Sequence, residues 1–270
     1  MTVSTPQRGY RVTNVERPRY ALRLPASAEA RQPLQVVLAI HGMGGNGDAM
    51  TRELASCADR NGWILVAPTF GYGNWRDPEQ IKQELISLQP QLLRLVSDVP
   101  GLTSLQTRPR VLVFGHSRGA QMAHQFALLY PEIIQGVAAY AAGTYVLPLE
   151  TFARNGVEER LALPYGVADV PDHFGRPVDL AALRRVPFWI GVGERDNNPG
   201  DVPRQWDPFL GVTRIERGRT FVTTLNRLGV GAQLTLVPGT GHEISQGARD
   251  LACGFLEQNA LNQPLAAAAP

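Results

Sequence analysis

Val111-Leu-Val-Phe-Gly115-His-Ser117-Arg-Gly119-Ala120 decides the reading of this chain. Residues 111–114 have the length and branching of a buried strand, and residues 118–130 carry a helical pattern that Pro131 closes. Almost nothing separates the two. A strand that turns so abruptly into a helix forces the residue at the apex, Ser117, into a strained backbone conformation and lifts its Oγ above the sheet edge. Glycine at 115 and 119 gives the turn room, because side chains there would collide across it. The helix start beneath Ser117 offers free N–H groups and positive potential, which is what a developing oxyanion requires. G-x-S-x-G also arises by chance in a chain with 27 glycines. Chance does not supply the strand before it and the helix after it.

Outward from this stretch, short apolar runs alternate with longer amphipathic ones. Residues 34–40 (LQVVLAI), 63–67 (WILVA), 111–114, 136–140, 188–192 and 233–237 read as strands. Helices are expected near 48–61, over 78–99, over 118–130, near 214–228 with Gly229 as the stop, and from about 245 to 259. Strands that are apolar throughout and alternate with helices argue for an α/β architecture, a mostly parallel sheet with helices on both faces. The segment 20–24 alternates more and is expected to form an antiparallel edge hairpin with residues near 10–15. No repeat or linker marks a second domain. The expectation is therefore one domain over 1–262, with a loop or small lid inserted at 144–186 after the fourth parallel strand, and a disordered tail over 263–270.

Composition removes other classes. Hydrophobic residues make up 44%, which suits a large buried core, and 26 basic and 24 acidic residues are interspersed. No one-sided basic stripe is available for nucleic acid. No apolar run is long enough for a membrane span, and MTVSTPQRGY carries no signal-type apolar segment, so a cytoplasmic protein without a membrane partner is expected. Oligomeric state is open. Cys57 and Cys253 each fall in an expected helix and read as two separate small buried side chains, not as a disulfide or as metal ligands.

A serine hydroxyl needs a base. Of five histidines, His242 fits best, on a loop after the last strand and at the same sheet edge as Ser117. His116 belongs to the turn but is directed away from Oγ, His124 is a packing or surface residue, and His173 lies in the insertion. A carboxylate must then orient the base. Asp196, after the fifth parallel strand, is favoured, with Glu194 and Asp201 as rivals. The oxyanion would be held by the backbone N–H of Arg118 and by one from 41–45 (HGMGG), with Met43 preferred and Gly44 the alternative. The glycine run lacks the lysine of a phosphate loop.

Taken together, HGMGG, GHSRGA, GERD and GTGHE, in that order, resemble the α/β-hydrolase superfamily from about residue 17 to 260. The esterase branch is the nearest likeness: dienelactone-hydrolase-like, polyhydroxyalkanoate-depolymerase-like and feruloyl-esterase-like enzymes. A nucleophilic serine separates the chain from dehalogenases, epoxide hydrolases and the dienelactone hydrolases proper. The resemblance implies the α/β-hydrolase fold and a serine carboxylic-ester hydrolase working through an acyl-enzyme on a small-molecule ester. It also implies that no metal and no organic cofactor is required. Tyr72, Trp75, Trp206, Phe209 and, in the insertion, Tyr145 are candidates to line the substrate site, each with the competing role of anchoring a loop to the core. With no long apolar lid, short or aromatic esters are expected. The rival enzymatic reading is an amide or peptide-bond hydrolase with the same residues. A non-catalytic ligand receptor is the third.

Overall fold

The computed structural model describes residues 15–26, 33–154 and 156–261. In chain order the elements are β1 (Arg19–Arg23), β2 (Val36–Ile40), α1 (Gly47–Asn61), β3 (Ile64–Thr69), α2 (Pro78–Thr103), β4 (Val111–His116), α3 (Arg118–Leu129) and β5 (Ile134–Tyr140). Then follow β6 (Thr151–Arg154), β7 (Val157–Arg160), α4 (Val170–Phe174), α5 (Leu180–Leu183), β8 (Phe188–Gly193), α6 (Asp207–Leu210), α7 (Arg214–Arg227), β9 (Ala232–Val237) and α8 (Gln246–Leu261). Seven strands form one sheet in the order β1-β3-β2-β4-β5-β8-β9. Every neighbouring pair is parallel except β1–β3. This is the α/β-hydrolase fold.

The strands expected from apolar runs are β2, β3, β4, β5, β8 and β9. β2, β5 and β8 are buried along their whole length, since side chains of both parities face a packed layer. One layer joins α2 and α3 to the sheet through residues such as Leu92, Val96 and Phe126; the other joins α1 and α8 through Leu54, Ala252 and Leu256. Helix ends follow local chemistry. The Asn46 side chain accepts from the Ala49 amide at 2.8 Å to start α1, and Gly62, at φ 68°, ends it. Asp77 caps α2 ahead of Pro78. β1 is the antiparallel edge strand, paired with β3; the hairpin partner expected near 10–15 lies almost wholly outside the described residues, as does the tail.

The insertion does not stand off as a lid. It forms the two-stranded β6–β7 hairpin and two short helices, and Leu161, Leu163, Val167 and Val170 are packed into the core with α2 and α3. The cysteine reading is corrected. Cys57 in α1 and Cys253 in α8 form a disulfide across a sequence separation of 196. Both helices cover the same face of the sheet, a proximity that spacing does not encode. Closing so long a loop disfavours the unfolded chain by on the order of 2–5 kcal/mol. Among the described residues, no helix is long and apolar enough to cross a membrane.

His124 is fully buried in α3, against the rings of Tyr145 and Phe221. Its Nδ1 donates to the Ala120 carbonyl at 3.0 Å and its Nε2 accepts from the Val146 amide at 3.0 Å, which ties the start of the insertion to α3. Burial disfavours the charged ring and pushes its pKa down to about 3. The unfolded chain takes up a proton near pH 6.5 that the folded chain refuses, so this contribution is complete above pH 6.5 and is lost as pH falls toward 3. The slope approaches about 1.4 kcal/mol per pH unit. Urea midpoints measured from about pH 7 to about pH 5 should fall, and fall less in His124→Gln. Equal slopes for the two chains would refute this account.

Candidate active site

β4 runs straight into α3, and Ser117 at the junction has φ 53° and ψ −113°. A Cβ at Gly115 would collide with the Gly119 carbonyl, and one at Gly119 with the Ile40 carbonyl. Both glycines are therefore required for the turn. Parallel strands deliver the loops that follow them to one sheet edge. Asp196 follows β8 and His242 follows β9, so both arrive beside Ser117.

His242 Nε2 lies 2.8 Å from Ser117 Oγ, and His242 Nδ1 lies 2.6 Å from Asp196 Oδ2. A carboxylate accepts, so Nδ1 carries the proton and Nε2 is left to accept from the serine hydroxyl. The Asp196 side chain is 3% exposed, and its other oxygen accepts from Arg214 Nη1 at 2.6 Å. Arg214 Nη2 donates to the Asp201 carbonyl at 2.8 Å. The rival carboxylates are placed elsewhere: Glu194 accepts from the Gly239 amide at 2.9 Å, and Asp201 is exposed at the cavity rim.

Met43 and Arg118 border the same space as Ser117 and His242. Arg118 opens α3, where a backbone amide has no partner within the helix. The HGMGG turn backs closely onto the serine: a Cβ at Gly42 would stand 3.1 Å from the Ser117 Cβ. His41 fixes that turn, donating from Nδ1 to the Gly42 carbonyl at 2.7 Å and accepting from the Phe70 amide at 3.0 Å. His116 donates from Nε2 to the His242 carbonyl at 2.7 Å. Burial holds its pKa down at about 4, so it is a neutral brace for the His242 loop. His173 pairs with Asp169 at 3.3 Å, on α4.

Two cavities meet at Ser117, His242 and Met43. One, of about 290 Å³, is lined by Trp75, Arg118, Gln121, Gly143 and Asp201 among others. The second, of about 350 Å³, is lined by His41, Met50, Glu53, His116 and Ile244 among others.

Of the five aromatics expected around the substrate, only Trp75 lines these cavities. The other four are corrected to packing roles. Tyr72 lies behind the turn, its hydroxyl donating to the His41 carbonyl at 3.2 Å and its ring near those of His41 and Phe70. Tyr145 is fully buried and stacks on Phe221 at 4.4 Å between ring centroids. Trp206, also fully buried, packs on Tyr165 at 4.7 Å, and Phe209 lies between Phe152 and Tyr165. The insertion folds down over these rings, and the apolar area that each large ring withdraws from water favours this arrangement.

Two arginines are more central than their sequence context suggests. Arg118 Nε donates to Glu84 Oε2 at 3.1 Å, and its Nη2 donates to the same oxygen. Glu84 Oε1 accepts from the Gly73 amide at 2.6 Å, so this pair joins the serine turn to α2 and to the loop bearing Trp75. Both Arg118 and Arg214 open helices, where the dipole disfavours a cation. That misplacement is the signal in the sequence: each is compensated by a carboxylate, Arg118 by the partly buried Glu84 and Arg214 by the buried Asp196.

No protein-family profile and no curated protein matches the chain by sequence. Solved structures do match by shape. LpqC, a poly(3-hydroxybutyrate) depolymerase from Bordetella parapertussis, superposes with a TM-score of 0.67 at 23% identity, over 92% of this chain and 85% of that one. Poly(aspartic acid) hydrolase-1 from Sphingomonas sp. KT-1 gives 0.61 at 19% identity, over 91% and 99%. Esterase PE8 gives 0.61 at 21% identity, over 90% and 99%. At these identities the likeness is one of fold.

Proposed function

We propose that the chain is a serine carboxylic-ester hydrolase that cleaves short or aromatic esters through an acyl-enzyme. The observation that carries this reading is the unbroken hydrogen-bonded line from Ser117 Oγ through His242 to Asp196, with distances of 2.8 and 2.6 Å. His242 takes the serine proton as Oγ attacks the ester carbonyl, and the oxyanion rests against the N–H groups of Met43 and Arg118. His242 then protonates the departing alcohol. Water, deprotonated by the same ring, releases the acid and restores Ser117. Asp196 keeps His242 in the productive tautomer and stabilises its charged form. The fold shared with esterase PE8 is consistent with this assignment.

Cavities of about 290 and 350 Å³ suit short acyl and alcohol groups, and Trp75 offers an aromatic wall. The disulfide supports an oxidising compartment and weighs against the cytoplasmic expectation. 4-Nitrophenyl acetate and butanoate should be turned over at least about tenfold faster, in kcat/KM, than the laurate, a difference of at least about 1.4 kcal/mol in barrier. A 4-nitroanilide of the same acyl group should be slower still. Preference for the anilide would assign the site to amide hydrolysis.

A further inference from the structure

Gln121 lies four residues beyond Ser117 on α3, buried to 5% exposure, and lines the cavity that also holds Trp75. Arg118 Nη1 donates to its Oε1. A guanidinium has donors only, so the amide must keep its oxygen toward Arg118 and turn its Nε2 the other way. Arg118 is itself fixed by Glu84, whose second oxygen is held by the Gly73 amide at 2.6 Å. Among the described residues nothing accepts from Gln121 Nε2, yet the atom is not sealed off as a buried orphan. Gly143 leaves it uncovered: a Cβ there would stand 3.3 Å from Nε2. The other cationic group on this cavity, Arg214, spends Nη1 on Asp196 and Nη2 on the Asp201 carbonyl, and its Nε, unpaired among the described residues, is buried away from the cavity surface.

We propose that Gln121 is a specificity residue, donating from Nε2 to an acceptor oxygen (ether, carbonyl or hydroxyl) carried by the substrate group that fills this cavity. The proposal rests on the ester-hydrolase reading above and narrows its substrate class to esters with a second oxygen near the scissile bond. The chain from Gly73 through Glu84 and Arg118 polarises the amide outward, which strengthens it as a donor. A hydrocarbon isostere would leave Nε2 without a partner once water is displaced.

The test compares kcat/KM within two isosteric pairs. 4-Nitrophenyl methoxyacetate against 4-nitrophenyl butanoate probes the acyl side; 2-methoxyethyl acetate against butyl acetate probes the alcohol side. The intrinsic reactivity of the methoxy esters cancels when the ratio for a variant is divided by the ratio for the wild type. In Gln121→Met, which keeps the length and removes the donor, the ratio should fall about 3- to 10-fold in one pair, chiefly through KM. Gln121→Glu, which replaces the donor by an acceptor, should lower the same ratio at least as far. Gly143→Ala, which keeps the Gln121 amide but sets a Cβ 3.3 Å from its Nε2, should lower it as well. Which pair responds identifies the side of the ester. Unchanged ratios in Gln121→Met and Gly143→Ala, with melting temperatures close to wild type, would overturn the proposal. Absence of turnover for all four esters, with Ser117 also unreactive to a fluorophosphonate, would instead remove the reading on which it rests.

Discussion

Ser117→Ala should bring ester turnover down by about 10⁴- to 10⁶-fold, the range seen when a serine hydrolase loses its nucleophile. The hydroxyl is the group that hydrogen-bonds His242, at 2.8 Å, and it makes no capping bond to the backbone, whose φ of 53° is accommodated by the glycines on either side. The variant should therefore fold and bind while failing to form the acyl-enzyme. Two measurements check it: initial rates on 4-nitrophenyl butanoate, and covalent labelling by a fluorophosphonate, which should vanish. Retained labelling would place the nucleophile elsewhere.

Asp196→Asn should be the second-largest loss, about 10⁴-fold in kcat, because an amide at this position can donate to His242 and so stabilise the wrong tautomer. It carries a second consequence that a simple triad would not have. Asp196 also neutralises Arg214, whose side chain is 8% exposed, through the contact of 2.6 Å. Removing one partner of a buried pair leaves an uncompensated charge, at a cost of about 3–5 kcal/mol. The variant should thus lose stability as well as rate. Adding Arg214→Met should restore much of the stability and none of the rate. Glu194→Gln and Asp201→Asn, assayed beside it, should stay within a few-fold of wild type. A nearly active Asp196→Asn, or a double variant no more stable than the single, would break the two halves of this account separately.

Much of the fold could be read in advance because its signals are local. Strands such as 36–40 and 188–192 are apolar at every position, which only a sheet covered on both faces permits. Once the strands are parallel, the ends of β4, β8 and β9 share an edge, so Ser117, Asp196 and His242 could be gathered without knowing any distance. What escaped is long-range. Arg118 meets Glu84 across 34 residues, Arg214 meets Asp196 across 18, and Cys57 meets Cys253 across 196, and no periodicity records such pairings. The aromatics escaped for a related reason. Trp206 and Tyr145 are equally suited to line a pocket or fill a core, and only the descent of the insertion decides between the two.

The link between Cys57 and Cys253 has a mechanical side. α1 begins just after the HGMGG turn, and α8 just after the His242 loop. These two segments supply Gly42, Met50, His242 and Ile244 to the rim of the second cavity. Thermal motion that pries the two helices apart therefore works against a covalent tether before it can splay that rim. The aperture on this side of Ser117 is braced like a hinge pinned at its far end, while the Trp75 side relies on ion pairs and packing for its shape.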